Sequence, residues 1–232
     1  MRLMSSSRAA PAALLFDFGG TLDADGVPWK TRFFEACRRE GLSTDPGRFD
    51  PAFYAADDAL VGAVPPTLTF EDTILRLSES LVRQLGAGDG AVGARIARRF
   101  VGDALGTLAR NTPLLARLRR RYRLGIVSNF YGNLGTVCHN AGVHELFAVI
   151  VDSACVGCAK PDPRIFQSAL DALEVGPADA WFVGDSLPRD MAGARAIGMP
   201  HVWLAGAAPS GAACCPADPI VHSFEDLEEL LL

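Results

Sequence analysis

Short apolar runs that stop at a polar residue recur along this chain, with amphipathic stretches between them. Ala12-Ala-Leu-Leu-Phe16 stops at Asp17, and Arg123-Leu-Gly-Ile-Val-Ser128 leads into Asn129. Ala148-Val-Ile-Val151 gives way to a loop reaching Lys160, and Ala180-Trp-Phe-Val183 runs into Gly184-Asp185. His201-Val-Trp-Leu204 follows the next helix-like stretch. Apolar runs without alternation read as parallel strands buried on both faces. Helix signals fall between them. Thr112 and Pro113 read as an N-cap and first position, as do Asp162 and Pro163. Met191 to Ile197 closes at Gly198, and Ser223 with Asp226 forms a capping box for an acidic final helix. The pattern predicts an α/β fold with a Rossmann-like, doubly wound parallel sheet.

One region breaks the alternation. From Trp29 to Leu108 no strand pattern is found, while Phe33, Phe34 and Cys37 fall at helical spacing. So do Ile74, Leu77, Leu81 and Leu85 behind a Thr69–Asp72 capping box, and Val92, Ile96, Phe100 and Leu108 beyond the Gly86–Gly90 breaker. The predicted organisation is a disordered tail over residues 1–10, an α/β core formed by 11–24 and 109–232, and a helical insertion over 25–108. Asp23 to Gly26 and Gly106 to Asn111 are the expected hinges.

Composition narrows the partners more than the fold. With 49% hydrophobic and 21% charged residues, the 232-residue chain has ordinary globular composition. A formal charge of −5 gives no general attraction to nucleic acid or an anionic membrane, so a small phosphorylated molecule, which needs only local positive charge, is the favoured partner class. Lys30 and Lys160 are the only lysines. The six cysteines, including Cys155-Val-Gly-Cys158 and the adjacent Cys214-Cys215, form neither a disulfide framework nor a paired zinc motif. Reduced thiols, a cytoplasmic location, and a monomer or dimer are expected. The start of the chain, with Arg2 and Arg8, lacks the apolar stretch of a secretion signal.

The polar groups at the strand ends carry the chemistry. Asp17, Ser128, Lys160 and Asp185 would meet at one sheet edge, where open α/β sheets bind ligands. A carboxylate nucleophile, a hydroxyl, an ammonium and a second carboxylate suit phosphoryl transfer to Asp17. A divalent cation between Asp17 and Asp185, Mg²⁺ by the hardness of the ligands, would reduce the repulsion between nucleophile and phosphate. Lys160, Ser128 and nearby backbone N–H groups would hold the phosphoryl oxygens.

These stretches resemble the haloacid dehalogenase-like (HAD) hydrolase superfamily. The likeness rests on Asp17-Phe-Gly-Gly-Thr21-Leu-Asp23, Ile126-Val-Ser128-Asn129, Lys160-Pro-Asp-Pro-Arg-Ile-Phe166, and the run from Gly184-Asp185 through Asp190 to Gly198. The resemblance implies that the helical insertion is a cap. It implies Asp17 as nucleophile and metal ligand, Ser128 as phosphate anchor, Lys160 as charge stabiliser and Asp185 as metal ligand. Asp190 becomes a ligand, or an acid holding metal-bound water or Lys160. The Gly19 carbonyl completes the metal set, and Gly20, Thr21 and Asn129 join Ser128 and Lys160 in binding substrate.

Gly19 departs from the phosphatase pattern, which has there an aspartate that protonates the leaving alkoxide and then activates water. Asp23 and Asp25 are the nearest substitutes in sequence. The alternatives are a substrate with a good leaving group, a phosphometabolite-binding protein with weak turnover, and dehalogenase or phosphonatase chemistry. Lys30, the only cap-side lysine, lies too near Asp17 to match the phosphonatase lysine and reads as a solvated helix-start charge. Arg32, Tyr54, Arg76 and Arg99 are candidate substrate contacts, each with a simpler reading as surface charge or core ring.

Overall fold

Alternate residues of the first strand face opposite sides of the sheet, and both sides are covered. In the computed structural model, which describes residues 10–86, 90–207 and 218–232, the strands are β1 (Ala13–Phe16), β2 (Arg123–Ser128), β3 (Val149–Asp152), β4 (Ala180–Gly184), β5 (His201–Leu204) and β6 (Ile220–Val221). They form one six-stranded sheet in the order β3-β2-β1-β4-β5-β6, every pairing parallel. Leu14 and Phe16 pack on one face with Ile126, Trp181 and Val183. Ala13 and Leu15 pack on the other with Val127 and Phe182. The expected doubly wound α/β fold is present.

The helices are α1 (Trp29–Arg39), α2 (Pro46–Asp58), α3 (Phe70–Leu85), α4 (Gly90–Leu118), α5 (Leu134–Asn140), α6 (Ser153–Val156), α7 (Pro163–Leu173), α8 (Ala192–Ala196) and α9 (Phe224–Leu231). Several begin at the caps read from the sequence: the Thr69, Asp162 and Ser223 side chains accept from the N–H groups of Asp72, Arg164 and Asp226. The four helices α1–α4 lie between β1 and β2, and their apolar core runs into that of the sheet. Phe18, just past β1, meets Phe70 of α3 and Phe130 edge-to-face at 6.2 and 5.7 Å, and Phe33 stacks on Phe100 at 4.3 Å.

Two expectations need correction. Thr112 and Pro113 start no helix: α4 runs unbroken for 29 residues through both. The Thr112 hydroxyl instead donates to the Leu108 carbonyl at 2.7 Å, inside the helix. Burial of Leu108, Leu114, Leu115 and Leu118 keeps the apolar stripe continuous and outweighs the roughly 3 kcal/mol that an internal proline costs. The stretch from Gly106 to Asn111, expected as a hinge, is likewise helical, and Asn111 fastens it to the β1 turn by donating to the Leu22 carbonyl at 3.2 Å and to Asp25 at 3.0 Å. Strand β6, helix α6 and helix α2 are additions to the predicted elements. Residues 1–9 of the expected tail and Cys214-Cys215 lie outside the described residues. Cys37, Cys138, Cys155 and Cys158 are free thiols.

Candidate active site

Strand register brings the site together. Phe16 pairs with Ile126 on one side and Val183 on the other, so Asp17 emerges beside the ends of β2 and β4. Its backbone N–H still donates to the Val183 carbonyl at 2.9 Å. Asp17 Oδ1 accepts from Ser128 Oγ at 2.8 Å and sits 2.6 Å from Lys160 Nζ. The same ammonium lies 2.7 Å from Asp190 Oδ1. Asn129 holds the Lys160 backbone from both sides: its Oδ1 accepts from the Lys160 N–H at 2.7 Å and its Nδ2 donates to the carbonyl at 3.1 Å.

Asp185 completes a group of three carboxylates. One oxygen from each of Asp17, Asp185 and Asp190 lies within 4.8 Å of the others. Thr21 Oγ1 donates to Asp185 at 3.1 Å, and the Ser186 N–H to Asp190 at 2.9 Å. Gly20 allows this approach: at its φ of +96°, a Cβ would sit 2.6 Å from Asp185 Oδ2. Burial, then repulsion from Asp190 and Asp17, pushes the Asp185 carboxyl well above the usual carboxylate range. Burial also raises Asp190, against the pull of Lys160. For Lys160 burial opposes the charge, but Asp17 and Asp190 more than offset it and the ammonium is raised. Three carboxylates, Asp17 and Asp190 buried and Asp185 half-buried, therefore gather near one buried lysine.

A cavity of about 140 Å³ opens above this group. Asp17, Gly19, Ser128, Asn129, Lys160 and Asp185 form part of its lining. Gly20, Thr21 and Asp190 do not border it. The Gly20 N–H donates instead to Asp23 at 2.7 Å, and Asp190 is fully buried. The rest of the lining comes from residues that the sequence did not single out, Pro28, Trp29, Phe53, Asp57, Phe130, Tyr131 and Arg189, together with Tyr54 and Lys30. Only their helical or loop positions were legible, since nothing local tells an aromatic lining a cavity from one in a core. Lys30 is not a freely solvated charge: it lies 2.7 Å from Asp50 and 5.3 Å from the Tyr54 ring centroid. Arg99 is paired with Glu40 and, like Arg76, does not line the cavity.

The substitute acids expected on the β1 turn are elsewhere. Asp23 is fully buried and accepts from the Gly20 N–H, from Trp29 Nε1 at 2.7 Å and from Arg32 Nη1 at 2.8 Å. Arg32 in turn lies 3.9 Å from the Phe100 ring centroid and donates to the Phe100 carbonyl. Asp23 thus ties the β1 turn to α1 and α4, and Asp25 bonds Asn111. Neither lines the cavity. Helix α1 folds back over the turn, so nearness in sequence to Asp17 did not translate into nearness to its cavity.

Gly19 has an ordinary backbone conformation, φ −77° and ψ 113°, open to any residue. A side chain there would press on Trp29: a Cβ on Gly19 would lie 3.1 Å from its Cε2 and Nε1 atoms, so the indole has to give by a few tenths of an ångström to admit one. Gly19→Asp should therefore lower stability by about 1–3 kcal/mol, read as a fall in denaturation midpoint, and should not raise turnover of alkyl phosphates. A stable Gly19→Asp variant with higher turnover would show that the indole yields easily.

Residues 11–198 match the family model for haloacid dehalogenase-like hydrolases. The chain belongs to that family. It is 32% identical over 217 residues to haloacid dehalogenase-like hydrolase domain-containing protein 3 of Bos taurus, covering 89% of this chain and 85% of the relative. A shorter match, 38% over 121 residues and about half of each chain, is to a plasmid-borne phosphoglycolate phosphatase of Cupriavidus necator. Among solved structures, a dehalogenase with an intermediate complex superposes with a TM-score of 0.66 at 20% identity, covering 96% and 97% of the two chains, a likeness of fold. The chain is thus a HAD-like hydrolase with phosphatases among its relatives. Among the described residues, no helix is long and apolar enough to cross a membrane.

Proposed function

We propose that this chain is a Mg²⁺-dependent phosphatase of a small phosphorylated molecule, working through an aspartyl-phosphate on Asp17. The observation that carries this reading is the buried surplus of carboxylate over ammonium at the cavity floor. Three hard oxygen donors with uncompensated negative charge fit a divalent cation, which Asp17, Asp185, Asp190 and the Gly19 carbonyl would hold. When bound, that ion supplies the positive charge that lets an anionic nucleophile approach an anionic phosphate. Asp17 Oδ forms the new bond to phosphorus as the bond to the leaving oxygen breaks. Lys160, fixed by Asn129, balances charge on the phosphoryl oxygens, and Ser128 orients both nucleophile and phosphate. Water then cleaves the Asp17–phosphorus bond and regenerates the carboxylate.

The phosphatase name among the relatives supports a phosphorylated substrate, and the presence of Asp185 favours a metal site over metal-free dehalogenation. A phosphometabolite-binding protein with weak turnover is the second reading, favoured by the lack of a side chain at Gly19. Phosphate release from alkyl, aryl and acyl phosphates, with Mg²⁺ and with chelator, tests the choice. Turnover that needs Mg²⁺ is expected, and no release from any ester would leave the binding reading.

Metal should also show in stability. At Mg²⁺ a hundredfold above its Kd the fold should gain about 2.7 kcal/mol, or roughly 5–10 °C in Tm for a chain of this size. Asp185→Asn should abolish most of that gain and yet raise the Tm in chelator, because it removes a buried charge repelled by Asp17 and Asp190. An unchanged Mg²⁺ shift in this variant would exclude Asp185 as a ligand.

A further inference from the structure

The phosphatase reading leaves one chemical job without a group: protonating the leaving oxygen. Gly19 offers no side chain, Asp23 is buried against α1, and Asp25 is bonded to Asn111, so neither acid lines the cavity. Of the carboxylates that line the cavity, Asp17 and Asp185 belong to the nucleophile and metal set; the remaining one is Asp57. It sits at the C-terminal end of α2 and lines the same cavity as Asp17 and Asp185. Tyr131, three residues past Ser128, donates its hydroxyl to Asp57 Oδ1. Phe130, packed edge-to-face on Phe18 and Trp29, and the nearly complete burial of Tyr131 fix that loop.

We propose that Asp57, positioned by Tyr131, is the general acid and base of this site, in the role that Gly19, having no side chain, cannot fill. The proposal rests on the phosphatase reading above. In the first step the Asp57 carboxyl proton passes to the leaving alkoxide as the Asp17–phosphorus bond forms and the ester P–O bond breaks. The products are an alcohol, the Asp57 carboxylate and the aspartyl-phosphate. In the second step the Asp57 carboxylate takes a proton from water while the water oxygen bonds phosphorus and the Asp17–phosphorus bond breaks. Inorganic phosphate leaves, and both Asp17 and protonated Asp57 are restored.

The surroundings favour the protonated form that the first step needs. Burial raises the Asp57 carboxyl, and Asp58 adds repulsion; Tyr131 and Arg189 pull the other way. The C-terminal end of α2 also disfavours negative charge. Tyr131 stays a donor, since burial and then Asp57 push its hydroxyl well above 10. Lys30, which also lines the cavity, is paired with Asp50. The hydrogen bond joins α2 to the β2 loop, so the acid is assembled only when those two elements are in contact.

Asp57→Asn should lower kcat/KM for propyl phosphate by about 10²–10⁴-fold and for 4-nitrophenyl phosphate by less than about tenfold, since nitrophenolate leaves without a proton. Loss of the base in the second step should make the phosphoenzyme accumulate, seen as a burst of nitrophenolate. Tyr131→Phe, which keeps the carboxyl, should move the basic limb of the propyl phosphate kcat/KM profile to higher pH, because the hydrogen bond it removes stabilises the Asp57 carboxylate. Equal losses on both esters, or a change in KM alone, would show that Asp57 binds substrate without transferring protons. An unmoved Tyr131→Phe profile would overturn the proposal even if the Asp57→Asn protein failed to fold. Failure of the phosphatase reading itself looks different: Asp17→Asn would then match wild type on both esters.

Discussion

Asp17→Asn should reduce phosphate release from every ester by about 10⁵–10⁶-fold, the scale seen when a covalent nucleophile is removed. Asparagine keeps the shape and can still accept the Ser128 hydrogen bond, so the loss isolates nucleophilicity. The fold should survive, because Lys160 retains Asp190 as a counter-charge 2.7 Å away. In chelator its Tm should hold or rise, since one of three clustered carboxylates is gone. Wild-type protein quenched in acid during turnover should carry the added mass of one phosphoryl group on the peptide containing Asp17, and the variant should not. Turnover equal to wild type would remove Asp17 from the chemistry.

Lys160→Met should damage stability and turnover together. Both Asp17 and Asp190 lose their buried counter-charge, and removing one partner of such a group typically costs about 3–5 kcal/mol. Methionine fills similar space, so packing contributes little to that loss. In chelator the deficit should shrink as pH falls. Asp185 and Asp190 have pKa values raised in the folded state, so the folded protein takes up protons before the unfolded chain does, and stability rises as pH drops through those raised values toward the ordinary carboxylate range. A deficit that is constant with pH, measured by urea unfolding from neutral to mildly acidic solution, would mean the lysine acts by packing alone.

The strands that position Asp17, Ser128 and Asp185 were legible because buried parallel strands are written as uninterrupted apolar runs. The polar residue at the end of each run marks the edge where the groups meet. Helix caps with a side-chain acceptor were legible for the same local reason. Thr112-Pro113 misled because a local cap signal competes with a long apolar stripe, and the stripe won. Strand β6 is too short, at two residues, to leave a pattern. On the cavity wall the signal runs out: Asp57 looks like any acidic residue near a helix end, and Tyr131 like any loop aromatic. Their meeting depends on packing between segments 74 positions apart. Asp23 failed as a substitute acid because only the folded chain shows Arg32 and Trp29 closing on it.

Trp29 and Gly19 occupy one volume between them, and that couples their histories. A chain with this arrangement cannot acquire a carboxylate at position 19 without shifting the indole by a few tenths of an ångström. Nor can it discard the indole first without cost, because Asp23 would lose a donor inside a sealed environment. A carboxylate at position 19 therefore comes at some cost to packing, whereas the one at position 57 already lines the cavity.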